Sequence, residues 1–201
     1  MKLFQPTDKK NFWPMLRSEM IQYKLNKTPL WNILKRNRLT KKLLGSIDGT
    51  AYTIYGPFRV AYGKNIFVGK NFFANWNCMI LDHAEVHTGD NVMLGPNVTL
   101  STVTHPKDAA QRAIKPMKNS IGPNGRGNIE LVAPINIGNN VWIATGAIIC
   151  PGVTIGDNSI IGAGSVVTRG IPANVFACGV PCKVIREITE KDSLTFENNF
   201  V

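Results

Sequence analysis

Aliphatic residues recur every six positions along most of this chain of 201 residues. An amphipathic helix would repeat them every three or four positions and a half-exposed strand every two, so neither explains the spacing. A coil of short strands does, because each six-residue unit supplies one strand and one turn, and three units close one triangular coil. The positions in register, with a slip of two residues before Thr88, are Tyr62, Val68, Ala74, Ile80, Thr88, Leu94, Leu100, Ile137, Ile143, Ile149, Ile155, Ile161 and Val167.

This repeat predicts a parallel β-helix over residues 56–181. The aliphatic side chains are expected to point inward, and stacked coils are expected to pair each strand with its equivalents above and below. The glycine or asparagine that follows is expected to adopt the unusual backbone angles of the turn. The alternative is a chance apolar period inside an ordinary parallel sheet.

The segment before the repeat, residues 1–55, predicts a basic and mainly helical region. One helix is expected over residues 9–25, and Thr28 followed by Pro29 has the form of an N-cap and first turn of a second. In that second helix the expected apolar positions are Leu30, Ile33 and Leu34, and the expected polar positions are Lys35, Arg36, Arg38, Lys41 and Lys42.

Two further segments lack the six-residue period. Residues 106–134 contain several glycines and prolines and predict a long loop extruded from the coil, and long loops in compact domains are often functional. Residues 182–201 predict a C-terminal tail with a short helix, which would fold back over the exposed edge of the last coil.

The formal net charge of +10 is concentrated in the N-terminal segment. Residues 1–48 carry 11 Lys or Arg against 3 Asp or Glu, whereas the rest of the chain carries 12 against 10. This distribution favours a solvated helix face, with a surface for an anionic polymer or a membrane as the alternative. Because the β-helix itself is almost neutral, we expect no nucleic-acid partner.

Several classes of protein are disfavoured by the chain as a whole. It has no apolar run long enough to cross a bilayer, and its N-terminus lacks the apolar core of a signal peptide, so we expect a soluble cytoplasmic protein without a transmembrane segment. The four scattered cysteines show no C-x-x-C pair and predict neither a zinc ribbon nor a disulfide framework.

His105 is the candidate for acid–base chemistry among the three histidines. It lies in STVTHP, where the regular coil ends and the long loop begins, and a neutral imidazole can take a proton from a hydroxyl. A solvent-facing turn histidine is the alternative for His105. His83 and His87 allow another hypothesis, a zinc site like that of γ-class carbonic anhydrases, although the close histidine pair of that family is missing.

Two long segments, NFFANWNCMILDHAEVHTGDNVMLGPNVTLSTVTHP and INIGNNVWIATGAIICPGVTIGDNSIIGAGSVVTRGIPANVFACGVPCKVIREI, closely resemble the maltose and galactoside O-acetyltransferases. The resemblance spans residues 56–190 apart from the loop. It implies a left-handed β-helix that transfers acetyl from acetyl-CoA to a sugar hydroxyl. It also implies a homotrimer with active sites between neighbouring subunits, and no catalytic metal.

The resemblance assigns roles residue by residue. His105, in its T-H-P setting, matches the catalytic base, and Asn75, in ANWN, matches an asparagine that contacts the acceptor. An acceptor-binding aspartate of the family falls at His83, which is a departure, while Asp82 next to it is retained, and both are candidate substrate contacts. The positions that match acetyl-CoA contacts are Thr145, Ala163, Thr168, Arg169, Lys183 and Arg186. Trp142 is a candidate to cover the thioester, and a tryptophan that only packs in the core or at the rim is the alternative.

The departures from the family concentrate on the acceptor side. Ala61 stands where the family has an acceptor-binding serine, and the acidic contact of the N-terminal helices is not visible. The donor half therefore looks intact and the acceptor half rebuilt. The leading acceptor is a sugar or saccharide hydroxyl. The alternatives are an antibiotic or other xenobiotic acceptor, and a trimeric scaffold without activity.

Overall fold

Three sheets, parallel except for the last strand of one of them, form the faces of a triangular prism in this computed structural model, which describes residues 1–193. The chain visits the faces in turn, so that each circuit adds one strand to every sheet and pairs it with its equivalents one coil away. The β-helix that the six-residue repeat predicts is thus confirmed.

The helices are α1 (Lys9–Lys27), α2 (Ile33–Leu43) and α3 (Ala109–Arg112). In chain order the strands are β1 (Lys2–Phe4), β2 (Ser46–Ile47), β3 (Thr53–Ile54), β4 (Arg59–Val60), β5 (Ile66–Val68), β6 (Phe73–Ala74), β7 (Met79–Leu81), β8 (Val86–Thr88), β9 (Met93–Leu94), β10 (Thr99–Ser101), β11 (Val103–Thr104), β12 (Lys115–Pro116), β13 (Arg126–Gly127), β14 (Glu130–Val132), β15 (Ile135–Ile137), β16 (Trp142–Ile143), β17 (Ile148–Ile149), β18 (Thr154–Ile155), β19 (Ile160–Ile161), β20 (Val166–Val167), β21 (Val175–Gly179) and β22 (Cys182–Glu187).

The first face of the prism consists of β2, β5, β8, β15 and β18. The second face consists of β3, β6, β9, β16, β19, β21 and β22, and the third face of β4, β7, β10, β17 and β20. Because β2 already pairs in parallel with β5, the first coil begins at Ser46, before the predicted boundary at residue 56.

We name the three corners of the prism by their residues. The asparagine corner joins the first face to the second and holds Asn71, Asn91, Asn140, Asn158 and Asn174. The tryptophan corner joins the second face to the third and holds Asn75, Trp76, Thr145 and Ala163. The histidine corner joins the third face to the first and holds His83, His105 and the two ends of the long loop.

All thirteen positions of the predicted register are buried, which confirms that the repeat marks the core. One of them, Tyr62, is buried at the histidine corner and not in a strand, because Val60 is the residue that pairs with Ile80. The step from the third face to the first therefore takes eight residues from Val60 to Val68, instead of the usual six. The step from Ile80 to Thr88 in the next coil also takes eight. The slip in the repeat thus occurs twice, at the same corner.

The unusual turn angles fall on a different residue from the one predicted. Gly138 and Gly162 follow the aliphatic positions but have no positive φ; a Cβ on Gly162 would lie 2.6 Å from the Cβ of Cys178, so close packing requires glycine there. At the asparagine corner the five asparagines have positive φ values between 56° and 59°, and the first coil has Gly49 there with a φ of 72°. Their side-chain amides form a ladder from coil to coil with Nδ2 to Oδ1 distances of 2.8 or 2.9 Å.

Substitutions of Asn140 separate the two roles of this ladder. Asn140→Gly keeps the positive φ and loses two side-chain hydrogen bonds, so we expect the free energy of unfolding to fall by about 1 kcal/mol. Asn140→Ala also strains the backbone, so we expect the free energy of unfolding to fall by about 2 kcal/mol in this variant. Denaturant unfolding of both variants measures the difference. Equal losses in the two variants would contradict the backbone role.

The predicted N-terminal helices are present, but the second starts later than expected. Thr28 ends α1 as its C-cap, and Asn32 caps α2. The predicted apolar face of α2 is wrong, because Ile33 and Leu34 are exposed. Its buried side chains are Arg36, Leu39, Thr40 and Leu43. Within residues 1–193 no helix is long and apolar enough to cross a membrane.

The loop and the C-terminal tail are more ordered than their sequences suggest. Strands β12 and β13 form a hairpin inside the loop, and β14 lies between β11 and the N-terminal strand β1 in a three-stranded antiparallel sheet. At the other end, β22 folds back on β21 as a strand, followed by a short 3-10 turn over Glu190–Asp192. The short helix predicted there is absent from residues 182–189, and the rest of the predicted tail lies outside the described residues after residue 193.

Candidate active site

The histidine corner is where the regular coil is interrupted three times in succession. Two successive coils carry two extra residues there, and the next sends out the long loop between β10 and β15. An irregular corner breaks the coil's regular hydrogen bonding, so its side chains and backbone must be held by other contacts. The interruptions bring His83 and His105 to the same edge of the prism.

Asp82 holds the backbone of this corner. It is fully buried, and its Oδ1 accepts hydrogen bonds from the backbone N–H groups of Ala61 and Tyr62 at 3.0 and 2.8 Å. Its Oδ2 accepts a longer one from the N–H of Asn65, at 3.3 Å. Burial raises the pKa of Asp82, and these hydrogen bonds oppose that rise. The acceptor contact predicted for Asp82 does not fit a side chain that solvent cannot reach.

Asp82→Ala is expected to lower the free energy of unfolding by about 3 kcal/mol, because it leaves backbone donors of the corner unsatisfied. Asp82→Asn keeps one acceptor oxygen and is expected to lose about half as much. Thermal and denaturant unfolding measure both losses. If Asp82→Asn were as stable as the native protein but had a raised KM for the acceptor, Asp82 would be a substrate contact after all.

His105 follows directly after β11 and is exposed at the mouth of the corner. The pairing of β11 with β14 fixes the backbone on which it stands. The amide nitrogen Nδ2 of Asn128, on the returning limb of the loop, lies 3.4 Å from His105 Nδ1. The ring is therefore oriented through Nδ1, and Nε2 is left without a partner among residues 1–193.

Three polar side chains that are buried or half-buried, Tyr62, His83 and Glu130, form the floor of this site beneath His105. His83 Nε2 lies 3.6 Å from Glu130 Oε2, and the Tyr62 ring packs edge-on against the His83 ring at a centroid distance of 5.3 Å. Within the described residues, Tyr62 Oη, His83 Nδ1 and Glu130 Oε2 are buried without a hydrogen-bond partner. Because these atoms are buried, they mark a polar layer beneath the site and do not by themselves form a surface that a ligand reaches.

The electrostatics of this cluster follow from its burial. Burial lowers the pKa of His83, the backbone of Leu81 opposes this effect, and the neighbouring His105 lowers the pKa further. Burial raises the pKa of Glu130, while His105 acts in the opposite direction. A neutral His83 beside Glu130 is therefore the favoured state at neutral pH.

Sequence reasoning missed Glu130, Asn128 and Phe4 as parts of this site. Phe4, on β1, packs edge-on against both His83 and Tyr62 at centroid distances of 5.4 and 6.0 Å. No repeat marks these residues, because they lie in the loop or near the N-terminus. The chain topology could have indicated Asn128 and Glu130. A loop that leaves the coil at His105 must come back to the same corner before β15 begins, so its last residues lie near His105.

The tryptophan corner carries the other predicted residues nearest to the chemistry. Asn75 is half-buried, and its Oδ1 accepts a hydrogen bond from the backbone N–H of Trp76 at 2.8 Å. Its Nδ2 has no acceptor within residues 1–193 and can donate to a ligand. Thr145 and Ala163 lie exposed on later coils of this corner, and Trp142 is exposed on the adjoining second face.

The remaining predicted donor contacts lie elsewhere. Thr168 and Arg169 are exposed at the histidine corner, above His105, and Lys183 and Arg186 are exposed on β22. Arg186 already pairs with Asp192 through two hydrogen bonds of 2.8 and 2.6 Å. A phosphate would have to compete with that carboxylate. The structure therefore places predicted residues at two separate corners of one chain, with Trp142, Lys183 and Arg186 on the second face.

The zinc alternative requires three converging ligands. His87 lies on the first face, stacked on Phe67, with its Nε2 2.9 Å from Glu85 Oε2. Within residues 1–193 no three His, Cys, Asp or Glu side chains form a group that could hold a metal ion.

Comparisons with known proteins decide the family. A model of the bacterial transferase hexapeptide, with six repeats, matches residues 134–169. Over 178 residues the chain is 44% identical to the galactoside O-acetyltransferase of Escherichia coli K12, which covers 88% of this chain and 80% of that protein. The chain belongs to the hexapeptide-repeat O-acetyltransferases.

Solved structures of these O-acetyltransferases share the whole architecture. A galactoside acetyltransferase in complex with coenzyme A superposes with a TM-score of 0.84 and 41% identity, covering 100% of this chain and 94% of the other. A maltose O-acetyltransferase from Clostridium difficile gives a TM-score of 0.83 and 41% identity, with 94% of each chain covered. The left-handed β-helix is confirmed by this match, and the predicted enzyme class and donor, an acetyl-CoA-dependent O-acetyltransferase, are those of the family.

Proposed function

We propose that this protein transfers acetyl from acetyl-CoA to a hydroxyl of a sugar or saccharide, with His105 as the general base. The observation that carries the proposal is the placement of His105, which stands exposed on a rigid strand end with Nδ1 against Asn128 and Nε2 free. The likeness to a galactoside and a maltose O-acetyltransferase supports a saccharide acceptor.

The proposed reaction is a direct transfer in a ternary complex. His105 Nε2 takes the proton of the acceptor hydroxyl while the oxygen attacks the thioester carbonyl carbon. The C–S bond then breaks, and the leaving thiolate receives a proton from His105, so the histidine ends unchanged. This role requires the proton on Nδ1. The Asn128 amide, which presents Nδ2 to Nδ1 in the structure, would then turn by 180° to present its oxygen to Nδ1–H.

Asn75 is proposed to act at the reacting centre through its free Nδ2. An amide donor can orient the hydroxyl or stabilise the oxyanion that develops on the thioester carbonyl. Acetyl-CoA is proposed to run along the tryptophan corner past Thr145 and Ala163, with Trp142 over the thioester. Thr168, Arg169, Lys183 and Arg186 are proposed to contact the rest of the donor, where the cations suit its phosphates.

The separation of the two corners supports a site shared between subunits. His105 and Asn75 lie on different edges of the same prism, so one chain does not present both to one acceptor. A homotrimer in which the histidine corner of one subunit meets the tryptophan corner of the next would unite them. We propose this assembly, with the two corners as its half-sites.

We also propose that the reaction takes place in the cytoplasm. The four cysteines are free, which is the usual state of thiols in a reducing compartment.

The direct test is thiol release from acetyl-CoA with a panel of sugars, glycosides and hydroxylated antibiotics, with the product weighed by mass spectrometry. We expect a saccharide-dependent release of coenzyme A and a product one acetyl group heavier. Preference for the antibiotics would replace the saccharide proposal with the xenobiotic one. Absence of release with every acceptor would favour a scaffold without activity, and a ping-pong pattern would contradict the ternary complex.

A further inference from the structure

A cavity of about 540 Å³ lies between α1 and the first two coils, at the end of the tryptophan corner away from the proposed donor. Its walls include Glu19 and Tyr23 from α1, Arg59 from β4, and Trp76 from the corner itself. The mechanism proposed above uses none of these four side chains. Their chemistry nevertheless matches the surface of a saccharide.

The aromatic part of the cavity is held in a fixed orientation. Trp76 is 52% exposed, and its ring stacks on Tyr55 at a centroid distance of 5.1 Å and an interplanar angle of 29°. Tyr23 is also exposed, with Lys27 Nζ 6.0 Å from its ring centroid. An indole that is supported on one side and open on the other offers a π face, which attracts the weakly positive C–H groups of a pyranose ring.

Some polar side chains of the cavity already make hydrogen bonds within the protein, and others do not. Gln22 and Asn26 each exchange two hydrogen bonds with the backbone of Val60 and Phe58, so their amides hold α1 against the coil. The carboxylate of Glu19 and the guanidinium of Arg59 make no hydrogen bond or ion pair within residues 1–193. An acceptor and a set of donors therefore remain next to the aromatic rings, an arrangement suited to vicinal hydroxyls.

The position of the cavity relates it to the acceptor. Trp76 directly follows Asn75, whose side chain bonds the Trp76 backbone N–H. Thr145 and Ala163 lie on later coils of the same corner, whereas the cavity lies toward the first coil. Along the tryptophan corner, the proposed acetyl-CoA contacts come first, the Asn75 amide follows, and the cavity comes last.

We infer that this cavity is a second saccharide subsite, which holds the sugar unit next to the one acetylated. The inference rests on the proposed function and refines it: the acceptor is a saccharide of at least two units or a glycoside with a sugar-like aglycone. Trp76 supplies the stacking platform, and Glu19 and Arg59 bind ring hydroxyls. These residues determine acceptor length and do not take part in acetyl transfer.

The test compares glucose, maltose and maltotriose with galactose and lactose as acceptors of acetyl-CoA. In the native protein kcat/KM should be higher for the longer acceptors than for the monosaccharide, either among the glucose-based saccharides or for lactose compared with galactose. Trp76→Ala should lower the ratio of kcat/KM for the longer acceptor to that for the monosaccharide by about tenfold, as expected for loss of one aromatic stacking contact. The matched control is Trp31→Ala, since Trp31 is 80% exposed but does not line the cavity.

An unchanged ratio in Trp76→Ala, or the same change in Trp31→Ala, would overturn the subsite. Loss of turnover with every saccharide would instead overturn the proposed function. In that case binding of maltotriose and lactose, followed by saturation-transfer NMR without acetyl-CoA, decides the subsite. Binding that Trp76→Ala abolishes and Trp31→Ala retains supports it, and equal binding or no binding contradicts it.

Discussion

His105→Ala is expected to lower kcat/KM for acetyl transfer by two to four orders of magnitude, roughly the range found when a general base is lost. The physical reason is that His105 is the exposed imidazole at the mouth of the corner, and its Nε2 has no partner among the described residues. His83 is half-buried under Phe4 and faces Glu130. Steady-state thiol release from acetyl-CoA with a responsive saccharide measures the loss.

His87→Ala is the matched control for that experiment. His87 is also a partly exposed histidine beside a carboxylate, but it lies on the first face, stacked on Phe67. We expect its kcat/KM to stay within about twofold of the native value. Equal losses in the two variants, or a His105→Ala enzyme with nearly full activity and unchanged folding, would rule out His105 as the base.

Arg36→Met should lower the free energy of unfolding by about 3 to 4 kcal/mol. Arg36 is buried, and its guanidinium donates to the carbonyl oxygens of Leu25, Thr28 and Ile54 at 3.1, 2.7 and 2.7 Å. It thereby caps the C-terminus of α1 from α2 and ties both helices to the first coil. Methionine fills similar volume but leaves the carbonyls of Thr28 and Ile54 without this donor, and it removes a cation from a helix C-terminus. The Leu25 carbonyl keeps its hydrogen bond from the Thr28 N–H.

Arg38→Met provides the comparison, because Arg38 is exposed on the same helix and makes no hydrogen bond among the described residues. We expect this substitution to change the free energy of unfolding by no more than about 0.5 kcal/mol. Arg36→Lys should be intermediate, since one ammonium cannot reach all three carbonyls as a planar guanidinium does. Denaturant unfolding of the three variants gives the values. Similar stability of Arg36→Met and Arg38→Met would contradict the capping role.

The coil was predictable because its physics is local and repeated. A side chain such as Ile143 or Ile149 must be buried once every six residues, and that requirement leaves a period that a single sequence displays. The turns were less predictable. Asn140 and Gly138 are both turn residues by composition, yet only the structure shows that the first bears the positive φ and the second the close packing.

The candidate site was predictable only where it lies on the repeat. Asn75 stands at a defined point of a regular coil and His105 four residues after the coil strand β10, so the resemblance could place them. Glu130 and Phe4 reach the same corner through a sheet formed by the loop and the N-terminal strand, and that pairing spans more than a hundred residues without a periodic signal. Arg36 was assigned to a solvated face because burial of a cation depends on carbonyls that only the folded chain brings together.

Mixing of two inactive variants tests most directly the claim that a base and an amide from separate corners form one acetyltransferase site. His105→Ala and Asn75→Ala are each expected to lose at least about a hundredfold in activity. Co-expressed in equal amounts, they should regain about a quarter of the native thiol release, because every mixed trimer has one interface where both native residues meet. Mixtures no more active than the separate variants would contradict the shared site.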